Sequence, residues 1–442
     1  MTSTDINHTI VDGDAHRDIR RTIEAVWRIE SPRLIAGLTR IVRDVGVAED
    51  LAQDALVAAL QQWPESGVPD NPGAWLMAAA KHRAIDHFRR ATMLEHKHEE
   101  LGREFAAKEL AVPDFDSALD DDVGDDLLRL LFISCHPVLS TEAQVALTLR
   151  LIGGLTTGEI ARAFLVPEST VAQRIVRSKR TLSEKRIPFE VPRGDDLVAR
   201  LSSVLAVIYL IFNEGYAATA GDDWMRPALS EEALRLGRVL AELAPTEPEV
   251  HGLVALMEIQ ASRSKARVGP SGEPVLLLDQ NRAQWDQLLI RRGLAALERS
   301  EKLVLDQRRG AQGWYVLQAE IAACHARART PQETDWPRIV SLYGALAQLA
   351  QSPVVELNRA VAVAMASGPA AGLELVDALT AERSLENYHL LPSVRGDLLK
   401  KLGRFDEARA EFERAACLTQ NARERQLLLD RARDCKAHTS LS

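Results

Sequence analysis

Apolar residues recur every three or four positions along most of this 442-residue chain. That is the spacing of one face of an α-helix, not the alternation of a strand. Residues 20–90 read as helical, with breaks at Ser31-Pro32 and from Trp63-Pro64 to Pro72, where proline interrupts the pattern. Inside this block Leu51, Ala55 and Ala58 or Ala59 form an apolar stripe, and Asp50, Gln53, Asp54 and Val57 form a second, mostly polar one. Further on, Trp75, Ala78, His82, Ile85 and Phe88 are the expected inward stripe. Arg83, His87 and Arg90 then line up at i, i+4, i+7 on another face, within a segment that also holds Lys81 and Arg89. Residues 127–187 are helical again and end at Pro188, Pro192 and Gly194. From 195 to 437 the pattern is almost entirely helical, with loops at 219–230, 266–281 and 329–337. The apolar run Val204 to Phe212 is too short to cross a bilayer and reads as a buried helix, so no membrane partner is expected.

Composition agrees with an all-α fold. Aromatic residues make up only 5%, and Ala, Leu, Arg and Glu dominate. The length implies at least two domains. The net charge of -9 excludes a uniformly basic nucleic-acid coat but not local basic faces. Residues 110–126 hold seven aspartates and no Lys or Arg, and they read as a hinge or solvated linker. Four scattered cysteines form no disulfide framework, and the polar, acidic N-terminus is no signal peptide; both fit a cytoplasmic protein. Cys135-His136 and Cys324-His325 read as buried helix residues rather than as a shared metal site. No phosphate-binding, zinc-hydrolase or serine-hydrolase motif is present, so neither a catalytic residue nor a cofactor is expected.

The most specific local pattern lies between 155 and 182. Thr156 or Thr157 suits an N-cap, with Glu159 in the first turn and small Ala161 where two helices cross. Leu165-Val166-Pro167 reads as a turn, after which Ser169 or Thr170 starts a second helix. In that helix Val171, Ile175, Ser178 and Leu182 form the inward face. Thr170, Gln173, Arg174, Arg177 and Arg180 or Thr181 form the outward one, with donors suited to base edges and phosphates. Residues 168–186 carry six basic and two acidic side chains, a local charge of +4.

The stretches AEDLAQDALVAAL, NPGAWLMAAAKHRAIDHFRR and LTTGEIARAFLVPESTVAQRIVRSKRTL resemble, in order, regions 2.1–2.2, 2.3–2.4 and 4.2 of bacterial extracytoplasmic-function (ECF) sigma factors. The resemblance implies a transcription initiation subunit that binds core RNA polymerase at its clamp helices and flap and engages promoter DNA. It implies that Asp50, Gln53 and Asp54 meet polymerase. It further implies that Lys81, Arg83, His87, Arg89 and Arg90 engage the −10 element. Ser169, Thr170, Gln173, Arg174, Arg177 and Arg180 would then read the −35 element. The expected domains are region 2 at 1–92, an acidic linker at 93–126, region 4 at 127–187, a helical domain at 195–300 and tetratricopeptide (TPR)-like repeats at 301–437. The TPR expectation rests on Gly396, Leu399, Gly403, Ala408, Phe412 and Ala415, with a weaker repeat at 357–379 around Gly368. It brings with it a regulatory role and a protein or peptide partner. Asn213, Glu214 and Tyr216, in a segment resembling the signature of ECF factors with such an extension, read equally as an interdomain docking surface or as a buried helix end. Trp224, Trp285, Trp314 and Trp336 read as packing residues. The alternative function is a helix-turn-helix regulator with a peptide-sensing TPR domain, acting without core polymerase.

Overall fold

The computed structural model describes residues 4–99, 123–164, 166–192, 195–218, 220–307 and 312–439. Among these residues it is built of α-helices, with a single two-stranded pairing of two residues each. The chain divides into two compact units, 1–207 and 208–442.

The first unit holds α1 (Thr4–Val42), α2 (Val45–Ser66), α3 (Pro72–Glu99), α4 (Val123–Ser134), α5 (Thr141–Leu151), α6 (Thr157–Phe164), α7 (Glu168–Glu184) and the first part of α8 (Asp195–Tyr216). Asp44 caps α2 by accepting from the Val47 amide at 3.0 Å, as an N-terminal carboxylate should. The helix does not stop at Trp63-Pro64. It runs on to Ser66 and ends at Gly67, whose positive φ of 81° suits glycine and whose amide donates to the Trp63 carbonyl. Trp63 is fully buried and meets Trp75 of α3 edge to face, with ring centroids 5.2 Å apart.

Three sequence expectations need correction here. Ser31-Pro32 does not break α1, which is continuous through a buried Pro32. The lost backbone hydrogen bond is tolerated because Ser31 and Leu34 to Thr39 are all buried on both sides of the chain's bend-prone point. The inward face of α3 is Leu76, Ala80 and Ala84, not Ala78 and His82, which are exposed. The expected stripe followed the bulky side chains, whereas the small ones allow close approach; at Gly37 of α1 an added Cβ would sit 3.2 Å from Met77. The acidic stretch 110–126 lies outside the described residues except for its last four positions. There Asp126 is buried rather than solvated, held by Arg40 at 3.1 Å and Arg129 at 2.6 Å.

The second unit continues with α9 (Pro227–Leu243), α10 (Pro248–Ala261), α11 (Gln287–Asp306), α12 (Trp314–Arg327), α13 (Trp336–Leu349), α14 (Pro353–Ser367), α15 (Pro369–Leu379), α16 (Leu390–Lys401), α17 (Phe405–Leu418) and α18 (Ala422–Thr439). α10 is buried along nearly its whole length and is the centre around which α9, α11 and α12 pack. In the last pairs, Gly396 of α16 lies so close to Phe412 of α17 that a Cβ there would stand 2.9 Å from the ring, and Phe412 is fully buried. Gly403 takes a positive φ of 76° in the turn between them. The sequence did not indicate the parallel pairing of Ala220–Gly221 (β1) with Gln420–Asn421 (β2). It ties the start of the unit to its last helix, and the Asn421 side-chain amide reinforces it by donating to the carbonyls of Ala218 (3.1 Å) and Asp223 (2.9 Å).

Candidate nucleic-acid interface

Helices α6 and α7 make the helix-turn-helix. Its start is a reciprocal capping box. The Glu159 carboxylate accepts from the Thr156 amide at 2.7 Å, and the Thr156 hydroxyl oxygen accepts from the Glu159 amide at 3.1 Å. Thr156 rather than Thr157 is therefore the cap. The second helix begins at Glu168, one position earlier than expected. Pro167 is its N-cap with extended backbone, and its carbonyl accepts from Thr170 and Val171. Ser169 and Thr170 thus stand in the first turn and are not caps.

α7 has two distinct faces. Val171, Ile175, Ser178 and Leu182 are its buried residues. Ser178 discharges its polar group by donating to the Arg174 carbonyl at 2.7 Å. Ser169, Gln173, Arg177 and Arg180 are exposed, and Thr170 and Arg174 are half-buried. Arg180 pairs with Glu184 at 2.6 Å across one turn, a solvated contact of little energetic weight. The exposed row presents guanidinium and amide donors to the outside, which is the chemistry that major-groove acceptors and phosphates take.

On α2, Asp50 and Asp54 are exposed and Gln53 is half-buried, with its amide donating to Glu49 at 2.7 Å. On α3, Arg89 is exposed and Lys81 and Arg83 are half-buried. Arg83 turns back to α2 and donates to the Asp54 carbonyl. The side chains of His87 and Arg90 lie outside the described residues. Asp50, Gln53, Asp54 and Arg83 therefore form one neighbourhood on α2 and α3. The α7 row is a separate surface.

A residue that sequence reasoning passed over joins α2 to the helix-turn-helix. Glu49 is buried, and its two carboxylate oxygens meet Arg150 of α5 and Lys179 of α7, each at 2.7 Å. Burial alone would raise the pKa of this carboxyl; Lys179 and Arg150 outweigh that and hold it below the usual carboxylate range. Arg150 also donates to the Leu155 carbonyl at 3.2 Å, which fixes the loop entering α6. Ser183 of α7 donates to Asp44, the α2 cap, at 2.6 Å, and Arg28 of α1 reaches Glu159 at 3.1 Å. The only local signal for Glu49 is its place beside Ala48 and Ala52 on the small-residue side of α2.

In the second unit, Glu214 is buried and ion-paired to Arg226. Gly215 packs against the chain at Leu229-Ser230, leaving no room for a Cβ. Tyr216 stacks on Phe212, and the Arg267 guanidinium lies 3.7 Å from its ring centroid. This is the geometry of a buried helix end. Trp285 is buried, as expected of packing, whereas Trp224, Trp314 and Trp336 are only partly so. Cys135 shares a hydrogen-bond distance of 3.3 Å with Thr148, and among the described residues no group of side chains is arranged to hold a metal ion. No described helix is long and apolar enough to cross a membrane.

Comparison with known proteins agrees with the geometry. Residues 27–93 match the family described as Sigma-70 region 2, residues 129–182 match Sigma-70, region 4, and residues 200–301 match a family of unknown function, DUF6596. The probable ECF RNA polymerase sigma factor SigI of Mycobacterium tuberculosis (strain CDC 1551 / Oshkosh) is 28% identical over 169 residues, 38% of this chain and 57% of that protein. The ECF RNA polymerase sigma factor SigK of Mycobacterium sp. (strain KMS) is 27% identical over 165 residues, 36% of this chain and 80% of that one. Two sigma domains in the expected order, one of them a helix-turn-helix with an outward cationic row, define the class: a DNA-binding sigma factor of ECF type that acts in transcription initiation. Within it, the chain belongs to the family of R00370, an uncharacterized protein of Rhizobium meliloti (strain 1021). The two are 43% identical over 398 residues, 89% of this chain and 91% of R00370.

Proposed function

We propose that the chain joins core RNA polymerase and directs it to promoters, with distinct surfaces for each task. The exposed polar face of α2, with Asp50, Gln53 and Asp54, meets the polymerase clamp helices, and the helix-turn-helix meets the flap. The basic end of α3, with Lys81, Arg83, His87, Arg89 and Arg90, engages the −10 element. The outward row Ser169, Thr170, Gln173, Arg174, Arg177 and Arg180 reads the −35 element. Residues 301–437 act as a TPR-like regulatory array with a protein or peptide partner, and Asn213, Glu214 and Tyr216 belong to the regulatory half.

The observation that carries this reading is the division of α7 into a buried apolar face and an exposed cationic one on a chain whose net charge is negative. An acidic protein gains affinity for DNA only where its basic residues are segregated. The test is transcription from a pool of promoter fragments with randomised −35 and −10 segments, using purified chain and core polymerase. Enrichment of a common pair of elements is expected, and Arg177→Ala should relax the preference at one −35 position while leaving the −10 preference unchanged. Binding to a palindrome without polymerase would instead favour an autonomous helix-turn-helix regulator, and absence of any initiated RNA would refute the reading.

A further inference from the structure

The second unit has an open-sided cavity of about 500 Å³ that no matched family explains. It lies among α8, α10, α12, α13 and α14, and its size is that of a site for a small organic molecule. Tyr209, Trp314 and Tyr343 supply flat aromatic walls, and Leu256 and Ile321 supply aliphatic ones.

Three of the polar side chains on this lining, Arg263, Gln318 and His325, carry buried atoms without a hydrogen-bond partner. Arg263 is only 8% exposed, and among the described residues no carboxylate pairs with it and no side-chain hydrogen bond reaches its guanidinium. Its neighbours are the rings of Tyr216 and Trp285, 5.8 and 5.9 Å from the guanidinium carbon. A buried charge normally has a partner, because leaving water uncompensated is expensive. Two more buried donors or acceptors on the same lining lack partners: Nε2 of Gln318 and Nδ1 of His325. Gln318 is oriented by Tyr209, whose hydroxyl donates to its carbonyl oxygen at 3.2 Å and leaves the amide nitrogen unused. His325 is fixed edge to face on Trp336, with centroids 5.2 Å apart.

We infer that this cavity binds a small organic monocarboxylate with a flat apolar body, its carboxylate held by Arg263 and Gln318 and its body between Trp314, Tyr209 and Tyr343. On the lining itself one guanidinium without a partner matches one negative charge; Arg267 and Arg282 stand near Arg263 but off the lining, and donate to the backbone carbonyls of Tyr216, His325 and Ala328. Burial and the nearby Arg263 and Arg282 push His325 down to about 4, so it is neutral at pH 7 and adds no second cation for a dianion such as phosphate. The aromatic walls select a planar body, Asn213 steadies the Tyr209 hydroxyl by a side-chain hydrogen bond, and the amide of Asn358 on the lining can meet a polar substituent.

The test uses the full chain and direct binding, so its outcome is independent of whether the chain starts transcription. Phenylacetate and indole-3-acetate are titrated by calorimetry and by tryptophan fluorescence, beside phenylacetamide and inorganic phosphate. Saturable one-site binding of at least one carboxylate is expected, with phenylacetamide and phosphate at least ~10-fold weaker, the worth of a charge-assisted hydrogen bond. Arg263→Met should weaken the carboxylate by at least ~10-fold while leaving the residual affinity for phenylacetamide unchanged. Should that variant lose its circular dichroism, Gln318→Leu, which removes no charge, is read in its place and should weaken the carboxylate selectively. No saturation by either carboxylate to about 10 mM, equal affinity for acid and amide, or preference for phosphate would each overturn the assignment.

Discussion

Replacing Glu49 by Gln tests what holds the helix-turn-helix against α2. The Glu49 side chain is 4% exposed, and its partners Arg150 and Lys179 are 22% and 18% exposed. Removing one member of a buried ion pair costs about 3–5 kcal/mol, because the remaining charge is left uncompensated. Both cations here keep part of their surface in water and recover some hydration, so about 2–3 kcal/mol is the expected loss. Glutamine keeps the shape and can still accept from Gln53, so α2 itself should survive. Native-state hydrogen exchange on the full chain is the assay. Amides of α7 should lose protection by a factor of roughly 30 to 150, the equivalent of that energy. Lys179→Met approaches the same contact from the other helix, and the double variant should fall well short of the sum of the two singles. Unchanged protection of α7, or strict additivity, would show that the pair does not hold the contact.

The same residue gives the contact a pH dependence with a definite sign. The folded-state pKa of Glu49 lies below the ordinary value of 4.5. Its contribution is therefore complete above pH 4.5 and is lost as pH falls through the depressed folded value. In Glu49→Gln this acid limb of α7 protection should flatten, and an unaltered limb would place its origin elsewhere.

Arg177→Ala, at an exposed position of α7, should weaken holoenzyme binding by about 1–3 kcal/mol and relax preference at one −35 base pair, read by fluorescence anisotropy against single-base variants. Equal loss on every sequence would make Arg177 a phosphate contact. Phe412→Ala should lower the stability of the second unit by about 3–5 kcal/mol in a urea melt, because the ring is fully buried over Gly396. His325, at about 4 against an ordinary 6.5, stays neutral in the fold while an unfolded chain takes up a proton. Stability should thus fall by at most about 3 kcal/mol as pH drops from 6.5 to about 4, and His325→Gln should lose that slope.

What the sequence made legible was whatever local spacing decides. Val171, Ile175, Ser178 and Leu182 are buried as a set because one helix has one period, and a single amphipathic run is enough to read it. The capping box at Thr156 and Glu159 spans three residues and needs no distant partner. Gly396, Ala408 and Phe412 announced a close helix pair because small residues facing an aromatic ring leave few other arrangements. The failures share one cause, that the deciding neighbour is far along the chain. Glu49 and Arg150 are 101 positions apart, and nothing in AEDLAQD distinguishes a buried acid from the exposed ones beside it. On α3 side-chain bulk points inward at Trp75 and Ile85, which are only half-buried, while Ala80 and Ala84 are the buried ones, since size predicts depth only where helix spacing is already known. Asn421 meets Ala218 across 203 positions to close the second unit. Arg263 is illegible for the same reason: among the described residues no carboxylate pairs with it, although Glu258 lies only five positions earlier, and no stretch of sequence displays that. Buried charges whose partners lie far off in the chain, or are missing from it, therefore hold the information on assembly and ligands that periodicity leaves out.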